Sequence, residues 1–367
     1  MGAYWILLMA VVIVQLQAIL FRRFALKRLH YSRTFDVSAC YEGDRFELVE
    51  TIENRKPLPV PWLRVESQFR SGIQFKGQLN LDISEGQFNQ NHKSFFSLMP
   101  WTKIVRKHHV TAARRGIYRL GTVSVTSGDL VGISTVVESL PLEGHLTIYP
   151  DPVDVTDMEL PVQTWMGDMI VQRWIVPDPF HLSGVREYRE GDSLKDIHWK
   201  ASARSGEIQV HRKEATADSR LMIYLNVEDH EHMWNRATKP ETIEYGIRLA
   251  AGISIHLLSQ GQVVGFGSNA TMDEHISLSP FVPPAAGMSQ QTAIMEVLAA
   301  LELSRSVSFH DYMESELRNL EVDYDMLVVT SYMNDKLERV IDRFRQDGHR
   351  VQIHLLDESG VRKEASA

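Results

Sequence analysis

From Tyr4 to Phe21 the chain is apolar on every face a helix would present, apart from Gln15 and Gln17. A run of about 18 such residues is just long enough to cross a bilayer, whereas the helix of a soluble core keeps a polar side. Tyr4 and Trp5 would lie at one interface, with Arg22, Arg23, Lys27 and Arg28 crowding the other. A cleaved signal peptide carries its basic residues before the apolar run, and here they follow it. The expectation for residues 1–30 is therefore a single membrane anchor. The positive-inside rule puts the N-terminus outside and the rest in the cytoplasm, at the cell (inner) membrane.

After the anchor the rhythm changes twice. Over residues 31–150 it is that of β-structure, with short β-branched and aromatic runs such as Phe46–Ile52, Thr122–Val125 and Leu146–Tyr149. Turn signals at Glu42-Gly43-Asp44, Glu53–Pro57 and Ser127-Gly128-Asp129 separate them, which predicts a sandwich or barrel of immunoglobulin-like kind. Residues 151–185 are proline-rich and without period, so they read as a linker. From 216 to 367 the pattern is α/β. Leu221–Leu225 and Met326–Thr330 are continuous apolar runs of the kind buried on both faces of a parallel sheet. Amphipathic helices alternate with them, one begun by Pro240 and ended at Gly261, others capped by Ser289, Ser308 with Asp311, and Asn334. The fold class is multi-domain: a transmembrane helix, an all-β domain and a doubly wound α/β domain.

Composition narrows the field. The net charge of −8 argues against nucleic-acid binding by the chain as a whole. The single cysteine, Cys40, excludes an internal disulfide framework and a cysteine-based zinc site. The basic stretch Arg106, Lys107, His108, His109, Arg114 and Arg115 reads as a solvated strand face. No phosphate loop, zinc helix or nucleophile elbow is present. Gly265–Ala270 spells G-x-G-x-x-A but opens no helix, so it is expected to be a strand end and turn.

Two stretches remain as candidate sites. Residues 186–215 are the densest in charge, His and Trp. A helix is expected there, capped by Ser193 or Asp192 and stopped by Gly206, with Leu194, Ile197 and Ala201 on one face. His198 and Asp196 are two apart and do not face one another, so they make no acid–base pair. Lys195, Lys200, Arg204, His211, Arg212 and Lys213 surround Trp199, but Glu187, Glu190, Asp192, Asp196, Glu207 and Glu214 balance them, which disfavours nucleic acid. An internal clamp or docking surface fits better, because Arg and Trp are the usual interface anchors and bidentate Arg–carboxylate pairs could lock the loop onto either domain. The second candidate is Asn226–His232, at the carboxyl end of the first α/β strand, where ligands of such sheets bind. Its plainest reading is a solvated acidic loop. Its Glu228, Asp229, His230 and His232 could instead hold a borderline divalent metal, which would make the chain a metal-dependent hydrolase.

This loop resembles the von Willebrand factor A domain, whose first strand runs into D-x-S-x-S and binds Mg²⁺. Asn226 stands in place of the Asp, Glu228 and His230 in place of the serines, and Thr330 with Asp335 could supply the remainder. The run R-x-Y-x-x-G-D-x-x-x-x-I-H-W-K-x-S-A-R, carried by Arg186, Tyr188, Gly191, Asp192, Ile197, His198, Trp199, Lys200, Ser202, Ala203 and Arg204, resembles the signature of the bacterial domain-of-unknown-function 58 family. Arg115–Gly121 and Gly128–Gly132 are similar to the β domain of that family's layout, although many relatives have two spans. The resemblance implies a non-enzymatic scaffold or adaptor that binds proteins. The partners it implies are a MoxR-type AAA+ ATPase and a transglutaminase-like membrane protein, besides the lipid bilayer, with no cofactor.

Overall fold

The structure, a computed structural model, describes residues 2–75, 81–85, 89–154, 182–188, 197–213, 220–272, 279–319 and 325–356. They form two compact units, Met1–Asp151 and Pro152–Ala367.

The first unit opens with helix α1 (Gly2–Phe24), whose Tyr4–Phe24 stretch is long and apolar enough to cross a membrane. Most of its side chains are exposed; Ala18 and Phe21 are buried, as is Ala25 just beyond its end. Twelve strands follow: β1 (Leu29–Phe35), β2 (Ala39–Tyr41), β3 (Arg45–Asn54), β4 (Val60–Arg70), β5 (Ile73–Phe75), β6 (Leu81–Glu85), β7 (Asn89–Leu98), β8 (Lys103–Ala112), β9 (Gly116–Arg119), β10 (Thr122–Gly128), β11 (Thr135–Pro141) and β12 (His145–Tyr149). They pair as sheets β1-β3-β8-β5, β11-β10-β4-β7-β6 and β2-β12-β9. The alternation that predicts strands also sets which faces meet. Ile52 and Tyr31 of the first sheet share a core with Leu63, Val65, Phe96, Leu98, Val123 and Val125 of the second, so the two sheets form a sandwich. A second core gathers Phe46, Leu48, Phe69, Val110, Tyr118, Leu146 and Ile148.

At Gly72 the backbone is left-handed (φ +135°), and a Cβ would fall on the Tyr118 hydroxyl, which donates to the Arg114 carbonyl at 2.7 Å. Gly72→Ala should destabilise this unit by about 2 kcal/mol, seen as faster amide exchange in β5 and β8. Unchanged exchange would show that the turn relaxes freely.

The basic stretch is only partly a solvated face. His108 is buried and lies 3.2 Å from Glu50. Arg106 stacks its guanidinium 3.9 Å over Phe96. Strand β8 therefore turns some of its polar groups inward.

In the second unit β13 (Leu182–Glu187) pairs antiparallel with β14 (Gln209–Lys213), with helix α2 (Trp199–Ser205) between them. The expected linker thus ends where β13 begins; its residues 155–181 lie outside the described residues. The sheet has the order β17-β16-β15-β18-β19, built from β15 (Arg220–Leu225), β16 (Val263–Ser268), β17 (Phe281–Ala285), β18 (Asp325–Thr330) and β19 (Arg350–Leu355). Four strands are parallel, and β17 is an antiparallel edge. Helices α5 (Phe309–Asn319) and α6 (Asp335–Gln346) pack on the face of Met222, Tyr224, Met326 and Val328. Helix α3 (Pro240–Ser259) covers the opposite face, where Gly246 lies against Leu225 and Leu356. Helix α4 (Met288–Ala300) contacts α3, β16 and β17. The result is a helix–sheet–helix sandwich.

The expected caps hold at Asn334, which accepts from the Leu337 amide at 2.9 Å, and at Ser308, whose hydroxyl accepts from the Asp311 amide at 3.2 Å and donates to the Asp311 carboxylate at 2.6 Å. Helix α4 is capped by Gly287 rather than Ser289.

Candidate functional site

The motif builds a small module from local rules. Strand β13 enters and Tyr188 donates its amide to the Ile208 carbonyl at 2.9 Å. Ile197 bridges Val210 antiparallel, and both side chains are buried. The expected helix through Ile197 is therefore replaced by an extended residue, and α2 begins at Trp199. His198 is its N-cap, its Nδ1 accepting from the Ala201 amide at 3.1 Å. Ser202 ties the turn: its hydroxyl accepts from the Gln209 amide at 2.8 Å and donates to the His198 carbonyl at 3.1 Å. Gly206 closes the helix in the left-handed conformation (φ +79°), which a residue with a Cβ adopts at a penalty.

The motif residues thus divide by role. Ile197, His198, Ser202 and Gly206 hold the turn. Trp199 (72% exposed), Lys200 and Arg204 face solvent, and α2 has no buried residue. Arg186 stands in β13 opposite Val210. Gly191 and Asp192, like Ser193, Leu194 and Asp196, lie outside the described residues.

The second candidate sits where the sheet order reverses, beyond the carboxyl ends of β15 and β18, the usual ligand crevice of this architecture. The four named residues do come together here in part. Asn226 Nδ2 donates to Thr330 Oγ1 at 3.0 Å, and Asn226 Oδ1 accepts from the Glu228 amide at 2.9 Å. Glu228 is not a solvated acid: its side chain is 2% exposed, and Arg305 Nη1 donates to Oε1 at 2.6 Å. Tyr332 donates its hydroxyl to the other oxygen at 2.5 Å. Burial and the Glu228 carboxylate together push the Tyr332 phenol above its ordinary range.

Asp229 turns away from that cluster. It accepts from the Thr238 hydroxyl at 2.8 Å, the Lys239 amide at 2.5 Å and the Thr238 amide, satisfying backbone at the start of α3. Burial opposes its ionisation, but these donors and His230 outweigh burial and hold the carboxyl below the usual range. His230 Nδ1 lies 2.5 Å from Asp229, with its ring half exposed. The donor set therefore does not fit a metal. Asn226, Glu228 and Thr330 spend their polar atoms on one another, on Arg305 and on Tyr332, and His230 turns its Nδ1 away to Asp229. Among the described residues no group of three or more His, Cys, Asp or Glu side chains converges as metal ligands would. Gly265–Ala270 is the end of β16 and a turn, whose Asn269 Oδ1 braces the Val227 amide at 3.0 Å.

Arg305 and Tyr332 were not singled out in the sequence. Arg305 follows α4 in a loop, and its bridge to Ala270 together with its amide bond to the Asn235 carbonyl at 2.9 Å brings it to the sheet edge.

Among solved structures, a cohesin from Archaeoglobus fulgidus aligns at 12% identity over 32% of this chain and 90% of its own, with a TM-score of 0.22. The CARDB domain of a Pyrococcus furiosus protein aligns at 13% identity over 32% and 93%, with a TM-score of 0.18. Scores this low carry no structural conclusion. "Uncharacterized protein YeaD" of Bacillus subtilis (strain 168) is 22% identical over 236 residues, 60% of this chain and 54% of its own, so the chain spans about half the length of that relative. Residues 184–362, which hold the motif module and nearly all of the sheet domain, match the family described as "Protein of unknown function DUF58".

Proposed function

We propose that this chain is a membrane-anchored, non-enzymatic adaptor whose motif module docks a protein partner. The observation that carries the reading is the outward face of α2: Trp199, Lys200 and Arg204 are exposed on a turn that His198, Ser202 and Gly206 hold rigidly. A rigid aromatic beside cations has the make-up of an interface hot spot. The partner expected from the family resemblance is a MoxR-type AAA+ ATPase, with a transglutaminase-like membrane protein as a further member. In this reading α1 crosses the inner membrane once with its N-terminus out, and both units lie in the cytoplasm. The first unit is an immunoglobulin-like sandwich. The second is a degenerate von Willebrand factor A-like domain; its strand order and antiparallel edge support that description. The pairing of Glu228 with Arg305 weighs against a metal-dependent hydrolase at the same edge.

The test is co-purification of the full chain from detergent with a MoxR-type ATPase. Wild type should retain the ATPase, and Trp199→Ala or Arg204→Ala should weaken capture by at least about tenfold. Because both side chains are exposed, thermal stability should change by no more than about 0.5 kcal/mol. Capture that is absent in wild type, or equal in all three proteins, would overturn the reading.

A further inference from the structure

The β10–β11 hairpin has a tip of unusual composition, and it is fastened to α1. Leu130, Val131 and Ile133 are 66%, 61% and 59% exposed. Between them and the helix, Gln17 Nε2 donates to Asp129 Oδ2 at 2.7 Å, and Gln17 Oε1 accepts from the Leu130 amide at 3.3 Å. The Ser134 hydroxyl donates to the Ala18 carbonyl at 3.3 Å. Asp129, the acid of the tip, has its second oxygen taken by the Ser134 amide at 2.9 Å, so its charge is held by the helix and the hairpin backbone.

The depth of this attachment is informative. A hydrocarbon core of about 30 Å needs about 20 helical residues at 1.5 Å each. Counted from Tyr4, the crossing then extends to about Arg23. If the bilayer stopped where the hairpin is fastened, only Tyr4–Leu16 would remain, about 20 Å of helix. The hairpin tip is therefore attached within the span, about 9 Å short of Arg23.

We infer that Leu130, Val131 and Ile133 insert into the lipid bilayer beside α1, so that the first unit holds the membrane by a hairpin as well as by a helix. This rests on the reading of α1 as a membrane span. The neighbouring surface agrees with it. Lys56 Nζ donates to the Ala25 carbonyl at 2.6 Å, and Asn54 joins the same loop to the Met99 carbonyl at 3.0 Å. That places the exposed Met99 and Trp101 near the end of α1, at the level where aromatic side chains favour the interface. Arg22, Arg23, Lys27 and Arg28 supply the cations for anionic headgroups there.

The test uses the full chain in nanodiscs of phosphatidylethanolamine and phosphatidylglycerol. Against a Cys40→Ser background, Leu130→Cys, Val131→Cys and Ile133→Cys are each labelled with an environment-sensitive fluorophore. Ile13→Cys serves as the span control and Glu138→Cys as the hairpin control. The inference expects the three tip positions to lose fluorescence to spin-labelled lipid as Ile13→Cys does, and to be shielded from aqueous iodide, which quenches Glu138→Cys. If Ile13→Cys reports lipid while the tip positions report water, the insertion is overturned and the span stands. If Ile13→Cys also reports water, the span itself fails and the insertion with it.

Discussion

Arg305→Ala should destabilise the α/β unit by about 3 kcal/mol, the lower end of the range for breaking a buried ion pair. The lower end applies because the Arg305 side chain is 25% exposed while Glu228 is 2% exposed. Among the described residues, removing the guanidinium leaves the carboxylate with the Tyr332 hydroxyl alone and little water. The same change removes the Arg305 Nε hydrogen bond to the Trp234 carbonyl at 3.1 Å. The readout is amide exchange in β15 and β18, where 3 kcal/mol corresponds to about a hundredfold loss of protection. Glu228→Gln leaves no stranded charge and keeps one acceptor oxygen, while its amide nitrogen can donate to a turned Tyr332 hydroxyl, so it should lose less. The double variant Glu228→Gln/Arg305→Met should recover part of the loss, since the stranded charge is then gone. If Arg305→Ala leaves β15 protection unchanged, the pair holds nothing. Stabilisation of the wild type by Mg²⁺, Mn²⁺ or Zn²⁺ would show instead that the carboxylate is available to a metal.

That cluster marks the limit of what the sequence could show. The central strands were legible because a strand buried on both faces must be continuously apolar, as Leu221–Leu225 is. The edge strand β17 was not. It carries Pro283 and Pro284, which no strand pattern announces, yet an antiparallel edge tolerates proline where a bulge shifts the register, as it does between Val264 and Phe266. The motif helix was placed too early because Ile197 and Ala201 have helical spacing. The structure uses Ile197 to pair with Val210 instead. Glu228 looked like a solvated acid because its partners are 77 and 104 residues away, and no local pattern announces them. The polar interior of the sandwich did leave a signal. Phe46, Leu48, Glu50 and Ile52 alternate on one face of β3, so the register that buries the three apolar residues also buries Glu50.

That buried Glu50 belongs to a cluster from which the strongest pH dependence is expected. Glu50 accepts from the Tyr31 hydroxyl at 2.6 Å and lies 3.2 Å from His108 and 3.7 Å from Arg33. Burial raises the Glu50 carboxyl, but His108, Arg33 and Tyr31 together outweigh it and leave it lowered. His92 lies beside them, its ring centroid 4.8 Å from that of Phe69 and 4.4 Å from that of Phe75. Neither ring nitrogen has a hydrogen-bond partner among the described residues. Burial, reinforced by Arg33 and His108, pushes its pKa down from 6.5 to about 3. Below pH 6.5 the unfolded chain takes up a proton at His92 that the folded unit refuses until about pH 3. Stability should therefore fall as the pH drops through that window, by about 1.4 kcal/mol per pH unit. Glu50 acts in the same direction: its stabilising effect is present above its unfolded value and is lost as the pH falls through the lowered folded one. His92→Leu removes the refused proton and two unsatisfied nitrogens at nearly constant volume. It should flatten the acid limb and stabilise the unit by about 1–3 kcal/mol at neutral pH. Protection of β7 and β8 amides, corrected for intrinsic exchange, should fall about tenfold per pH unit below 6.5 in the wild type and much less in the variant. Equal slopes in the two proteins would mean that His92 takes up its proton in the folded state as readily as in the unfolded one, and that the polar interior of the sandwich admits charge without loss.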